Sequence, residues 1–171
     1  MFSRTTEVKE SRIPNSPMSG KHRNRFLTWL VLVLFLPTFV LGQSSAAERT
    51  LFQSINHERK GHHLRALRWD EALAAAARKH AREMAKRGAL EHTFPGEPTL
   101  PSRATKTGAR FISISENIAR AASAKVAHKE FMNSPNHKAN ILDSEIDLVG
   151  IGAVQHGKEW FVVEDFSTAK K

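Results

Sequence analysis

The chain has 171 residues, room for one domain plus a targeting segment, and contains no cysteine and no tyrosine. Disulfides, thiol redox chemistry, cysteine-based metal sites and phenol acid–base schemes are therefore excluded. The formal net charge is +9, but the Lys and Arg are scattered rather than gathered with aromatics, so the basic stripe or stacking platform that nucleic acid requires is missing.

Residues 26–42 (FLTWLVLVLFLPTFVLG) carry no charge. At seventeen residues the run is at the short edge of a membrane span, and Pro37 opposes an uninterrupted helix across a bilayer. Lys21, Arg23 and Arg25 precede it, and Val40 and Gly42 suit the −3 and −1 positions of a signal-peptidase site, with cleavage before Gln43. A start at Met18 would give the preceding basic region an ordinary length. The alternative is an uncleaved signal anchor, with residues 26–42 as the only membrane contact. Either way the rest is expected outside the cytoplasm, secreted or periplasmic, and membrane-anchored if the segment is retained. Without residues 1–42 the chain keeps 20 Lys and Arg against 15 Asp and Glu. That net of about +5 supports weak attraction to anionic envelope polymers or lipid headgroups, and no more.

After a short linker, residues 43–47, Ser45-Ala-Ala-Glu48 fits a capping box and predicts a first helix with Leu51, Phe52 and Ile55 on its apolar stripe and Gly61 as its end. Leu64 to Trp69 reads as an extended connection. Asp70 caps a second helix over 71–87, with Leu73, Ala77, His80 and Met84 on one face and Gly88 as stop. Residues 89–110, with three prolines, read as a loop. Phe111–Ser115 alternates like a strand and runs into Glu116-Asn117-Ile118, and Ala121–Met132 reads as a third helix. In Ser134-Pro-Asn-His137, Ser134 suits an N-cap and Pro135 a first helical turn, which places His137 in that turn; Ile141 and Leu142 anchor the segment. Leu148–Val154 and Trp160–Phe166 read as a hairpin through His156-Gly157-Lys158, and residues 168–171 as a frayed tail. This order indicates a mixed sheet with helices on both faces.

Among the eight histidines after residue 42, His57 and His62 fail the metalloprotease spacing. Five residues apart, they differ by about 140° around a helix, and Gly61 intervenes, so His57, His62 and His63 read as a solvated helix end. His80, on the apolar face, reads as a hydrogen-bonded core histidine, and His128 and His156 as exposed. His92, Glu116 and His137 remain, each at the end of an element and flanked by apolar residues (Leu90 and Phe94, Ile114 and Ile118, Ile141). Two imidazoles and a carboxylate suit Zn²⁺ or another divalent cation, or a general acid–base cluster with Glu116 as base. They equally suit three unrelated loop ends, since spacing alone cannot bring them together.

The sequence resembles the CAP superfamily of cysteine-rich secretory, antigen and pathogenesis-related (SCP-like) proteins, and within it the cysteine-free bacterial type. The likeness is carried by Asn56-x-x-Arg59, Leu64-x-x-Leu67-x-Trp69-Asp70, His80-Ala81-x-x-Met84, Gly88-Ala-Leu-Glu-His92-Thr, Glu116-Asn117-Ile118-Ala119, Ser134-Pro-x-His137-x-x-Asn140-Ile-Leu142, Val149-Gly-Ile-Gly152 and Trp160…Glu164-Asp165-Phe166, in this order over residues 48–167. The resemblance implies an α+β fold, a three-layer α-β-α sandwich with a small mixed, mainly antiparallel sheet. It also implies a cleft lined by two His and two acids, of which His92, Glu116 and His137 would be three. The fourth, in animal and plant members a Glu three residues after a Trp, is missing, because Phe131 and Ser134 hold those positions.

Family members have been linked to divalent-metal binding, lipid or sterol binding, and disputed proteolysis, and a fold does not dictate a reaction. Ser115 and Ser134 read more simply as strand and cap residues than as nucleophiles. The leading expectation is an exported binding module whose cleft holds a divalent cation or a polar envelope ligand. A metal-assisted hydrolase of peptide or cell-wall bonds, and an envelope scaffold in which the trio only ties loops together, are the alternatives.

Overall fold

The computed structural model describes residues 44–170. The segment 26–42 and the proposed start at Met18 lie outside the described residues. Within these, no helix is long and apolar enough to cross a membrane.

Helix α1 (Ala46–Gly61) begins on the expected capping box, with Ser45 and Glu48 each bonding the other's backbone N–H. It buries Leu51 and Ile55 and two charged residues, Glu48 and Arg59. Glu48 accepts two hydrogen bonds from Arg78. Arg59 donates to the carbonyls of Arg65, Ile141 and Asp143, so one guanidinium satisfies three backbone acceptors that would otherwise be costly to bury. Asn56 clamps both backbone groups of Leu67. The connection it fixes ends in β1 (Arg68–Trp69), a two-residue strand parallel to the sheet.

Helix α2 (Glu71–Arg87) has the expected bounds, with the Asp70 side chain on Leu73 N and Gly88 left-handed at the C-terminus. The segment expected to be all loop contains α3 (Leu100–Lys106), whose Pro101 lies in the first turn, where it forfeits no helical bond. Strand β2 (Phe111–Ala121) is longer than expected. It takes in Ala121, expected to start the third helix, because the pairing of Ala119 and Arg120 with Val162 and Phe161 continues through Ala121 and Trp160. Helix α4 (Ala124–Asn133) therefore starts later, capped by Ser123 on Val126 N. Helix α5 (Pro135–Ile141) follows at once. Ser134 does stand at its N-cap, but its hydroxyl makes no capping bond. Strands β3 (Leu148–His156) and β4 (Glu159–Ala169) form the hairpin, turning at Gly157 with φ of 61°.

The sheet order is β1-β3-β4-β2, antiparallel except for β1. Alternate residues serve opposite faces. Val149, Ile151, Val162, Phe166 and Ala119 pack with Leu51, Ile55, Phe131 and Ile141 under α1, α4 and α5. Ile118, Phe161 and Val163 pack with Ala77, Ala81 and Met84 under α2. There the helix lies directly on two glycines. A Cβ at Gly150 would stand 2.2 Å from Ala74 N, and one at Gly152 would stand 2.3 Å from the Ala77 carbonyl carbon. The result is the expected three-layer α-β-α sandwich with a mixed, mainly antiparallel sheet.

Candidate functional site

Glu116 lies in the middle of β2, not at the end of a strand, and is paired with Asp165 of β4. Its side chain is 2 % exposed. Oε1 is 2.8 Å from Nδ1 of His92, and Oε2 accepts from Nη2 of Arg103. The same Arg103 donates from Nη1 to the carbonyl oxygens of His92 and Pro98, at 2.9 and 3.4 Å. One guanidinium thus fixes both the carboxylate and the loop that carries His92. The His92 side chain is 62 % exposed. With Nδ1 held by the buried carboxylate, Nε2, on the far side of the ring, is directed away from it. Of the apolar neighbours expected to anchor His92, Phe94 is buried at 5 % exposure and Leu90 is exposed at 41 %. The anchoring comes from Arg103 and Phe94 instead.

His80 is the core histidine its face predicts. It is fully buried, with Nδ1 2.7 Å from Glu97 Oε1 and Nε2 2.9 Å from the Glu91 carbonyl oxygen. A carbonyl only accepts, so Nε2 carries a proton. Its Nε2 also lies 3.9 Å from Glu116 Oε2.

His137 stands in the first turn of α5, half-buried, its ring edge-on to Phe131 at 5.2 Å. Its carbonyl accepts from Asn117 Nδ2 at 3.1 Å. That amide also donates to Glu164 Oε2 at 3.2 Å, and its oxygen accepts from Asn140 at 2.9 Å. Asn140 in turn reaches the Glu116 carbonyl oxygen at 3.4 Å. Two asparagines therefore bind α5 to the outer edge of β2. Burial, and secondly the charge of His92, lower the pKa of the His137 imidazole, which keeps it neutral at pH 7. The structure thus joins His92 to Glu116 by direct contact. It sets His137 within electrostatic reach of His92, with no hydrogen bond to either partner.

Behind these groups lie two acids to which the sequence reading gave no role. Burial raises the Glu164 carboxyl to about 8, against the smaller opposing effect of the Asn117 bond. Burial, and then the negative charge of Glu116, push Asp165 well above the usual carboxylate range, while Arg103 pulls it down. Neither Asp165 oxygen has a hydrogen-bond partner among the described residues. Burial thus favours the uncharged form of both acids, Glu164 remaining mostly protonated at neutral pH.

Among the described residues no three His, Asp or Glu side chains are gathered to hold a metal ion. Both Glu116 oxygens are engaged, and Arg103 already supplies the positive charge that a cation would. Of the expected trio, the exposed imidazole of His92 and the half-buried imidazole of His137 carry the nitrogen atoms that remain. Glu116 stands behind His92 and, through the contact at Nδ1, fixes the orientation of its ring. Arg103, which has no signal in the sequence, occupies Oε2 of Glu116.

The model of the CAP family, "Cysteine-rich secretory protein family", matches residues 52–166. The chain belongs to that family. Among CAP relatives, it is 29 % identical over 117 residues to YkwD, an uncharacterized protein of Bacillus subtilis, covering 68 % of this chain and 46 % of that one. An extracellular protein of Bacillus anthracis containing an SCP domain superposes with a TM-score of 0.67 at 26 % identity, over 72 % of this chain and 40 % of that one. An outer surface protein of Borrelia burgdorferi gives a TM-score of 0.69 at 22 % identity, over 75 % and 96 %. The chain thus spans less than half the length of the two Bacillus relatives and nearly all of the Borrelia protein.

Proposed function

We propose that this chain is an exported CAP domain that binds a divalent cation, or a small polar envelope ligand making the same contacts, between His92 and His137. The observation that carries the reading is the His92–Glu116 contact. A buried carboxylate holds Nδ1 at 2.8 Å and leaves Nε2 of a mostly exposed ring available as a ligand, opposite a neutral, half-buried His137. Export is supported by the extracellular and outer-surface relatives. Cation binding is supported by the donor set, and NaASP2, a relative in fold only at 13 % identity, was crystallized with Zn²⁺. Nothing favours hydrolysis, because a base must be free to take a proton, and Glu116 is buried against Arg103.

Calorimetric titration of the full chain with Zn²⁺ tests the reading. Wild type should bind one equivalent at the cleft, and His92→Ala and His137→Ala should each weaken it tenfold or more. Glu116→Gln should weaken it less, through loss of ligand orientation. Equal affinity across these variants would overturn it. The knot of Arg103, Glu116, His92 and Pro98 favours a second reading, a scaffold in which these groups only tie the loops. Under it the substitutions lower the melting temperature and leave titrations unchanged.

A further inference from the structure

We propose a second divalent-cation site, built from other elements than the cleft, in the groove between α1 and α4, with His57, Glu58 and His128 as ligands. The groove has a volume of about 400 Å³. Its wall on α4 carries His128, expected from the sequence to be exposed but in fact 12 % exposed in its side chain. The packing of α1 on α4 encloses it, and both of its ring nitrogens are buried without a hydrogen-bond partner among the described residues. His80 supplies the contrast, since a buried histidine with a purely structural role in this fold has both nitrogens bonded. Leaving two buried polar atoms unpaired is costly, and a metal ion on one of them removes part of that cost.

The separation of His128 Nε2 from Glu58 Oε1 points the same way. At 3.7 Å it is too long for a hydrogen bond. Two donors about 2.1 Å from one tetrahedral ion stand roughly 3.4 Å apart, so the pair is open to about the width that an ion bridges. His57 precedes Glu58 on α1 and lines the same groove, near enough that its charge acts on the His128 ring. As they stand the three are not closed into a ligand set. Closing it calls for a reorientation of His57, whose side chain is exposed. Lys125, one turn before His128, also lines the groove and has a long exposed side chain that can turn to solvent.

The test uses the full chain carrying His92→Ala and His137→Ala, which removes the cleft ligands and separates the two sites. Titrated with Zn²⁺, this protein should still bind one equivalent. Adding His57→Ala or Glu58→Gln, both at positions open to solvent, should weaken binding at least tenfold, and His128→Asn should abolish it. With Co²⁺ in place of Zn²⁺, the visible bands of a tetrahedral ion should appear and disappear with the same substitutions. No binding in the cleft-silenced protein, or binding indifferent to His57 and Glu58, overturns the proposal whatever the cleft does.

Discussion

Neighbouring residues of β2 bury acids in opposite ways. On the α2–α3 side, Glu116 faces Asp165 across the strands, Arg103 bonds Glu116, and burial beside that carboxylate raises the Asp165 carboxyl well above the usual range. One residue along, on the α4–α5 side, Asn117 faces Glu164, and no cation is present in the hydrogen bonds of that network. The first side fixes charge and the second removes it. The charged side holds the exposed imidazole of His92, and the neutral side holds α5 with the half-buried imidazole of His137. Charge pairing and amide bonding thus secure the two segments that carry His92 and His137.

The largest effect should come from Arg103→Met. It leaves Glu116 and Asp165 buried side by side without a cation, at a cost of about 3–5 kcal/mol, read as a fall in the denaturant midpoint. If the loss is under about 1 kcal/mol, Arg103 does not compensate the charged side. Next comes Glu164→Gln, which keeps an acceptor for Asn117 and removes the titration. The folded pKa of about 8 lies above the ordinary value of 4.5. Stability from the neutral form is therefore complete below pH 4.5 and is lost as pH rises to 8, by about 1.4 kcal/mol per pH unit at most. The variant should match wild type near pH 4 and exceed it by a gap that widens up to pH 8 in denaturant melts. A constant gap would mean that Glu164 is ionised in the fold. The smallest effect is expected from Asn140→Ala, about 1–2 kcal/mol from two lost bonds. It should also show faster amide exchange in α5 and weaker Zn²⁺ binding at the cleft, because Asn140 ties α5 to β2.

The two sides were not equally legible in the sequence. The bounds of α2 were, because Asp70 and Gly88 are local signals, and so was the hairpin around Gly157. Glu116-Asn117 was harder. Two polar residues inside an eleven-residue strand break the alternation, and only the register with Glu164 and Asp165 explains them. Arg103 was invisible for a different reason. It sits in a proline-rich stretch that reads as loop, and its partner comes from another element. The burial of His128 does have a signal in the sequence. It falls at helical spacing from Ala124 and Phe131, both buried, so the apolar stripe already placed it at the α1 contact. The convergence of His92 with Glu116 was carried by motif order alone.

Strand β2 is an edge strand, and open edges invite pairing with other chains. Here the hydrogen bond from Asn140 to the Glu116 carbonyl occupies the middle of that edge. The irregular register between Phe111 and Ile114 interrupts its beginning, beside the 71 % exposed Ile112. The helix that carries His137 therefore also guards the protein against aggregation.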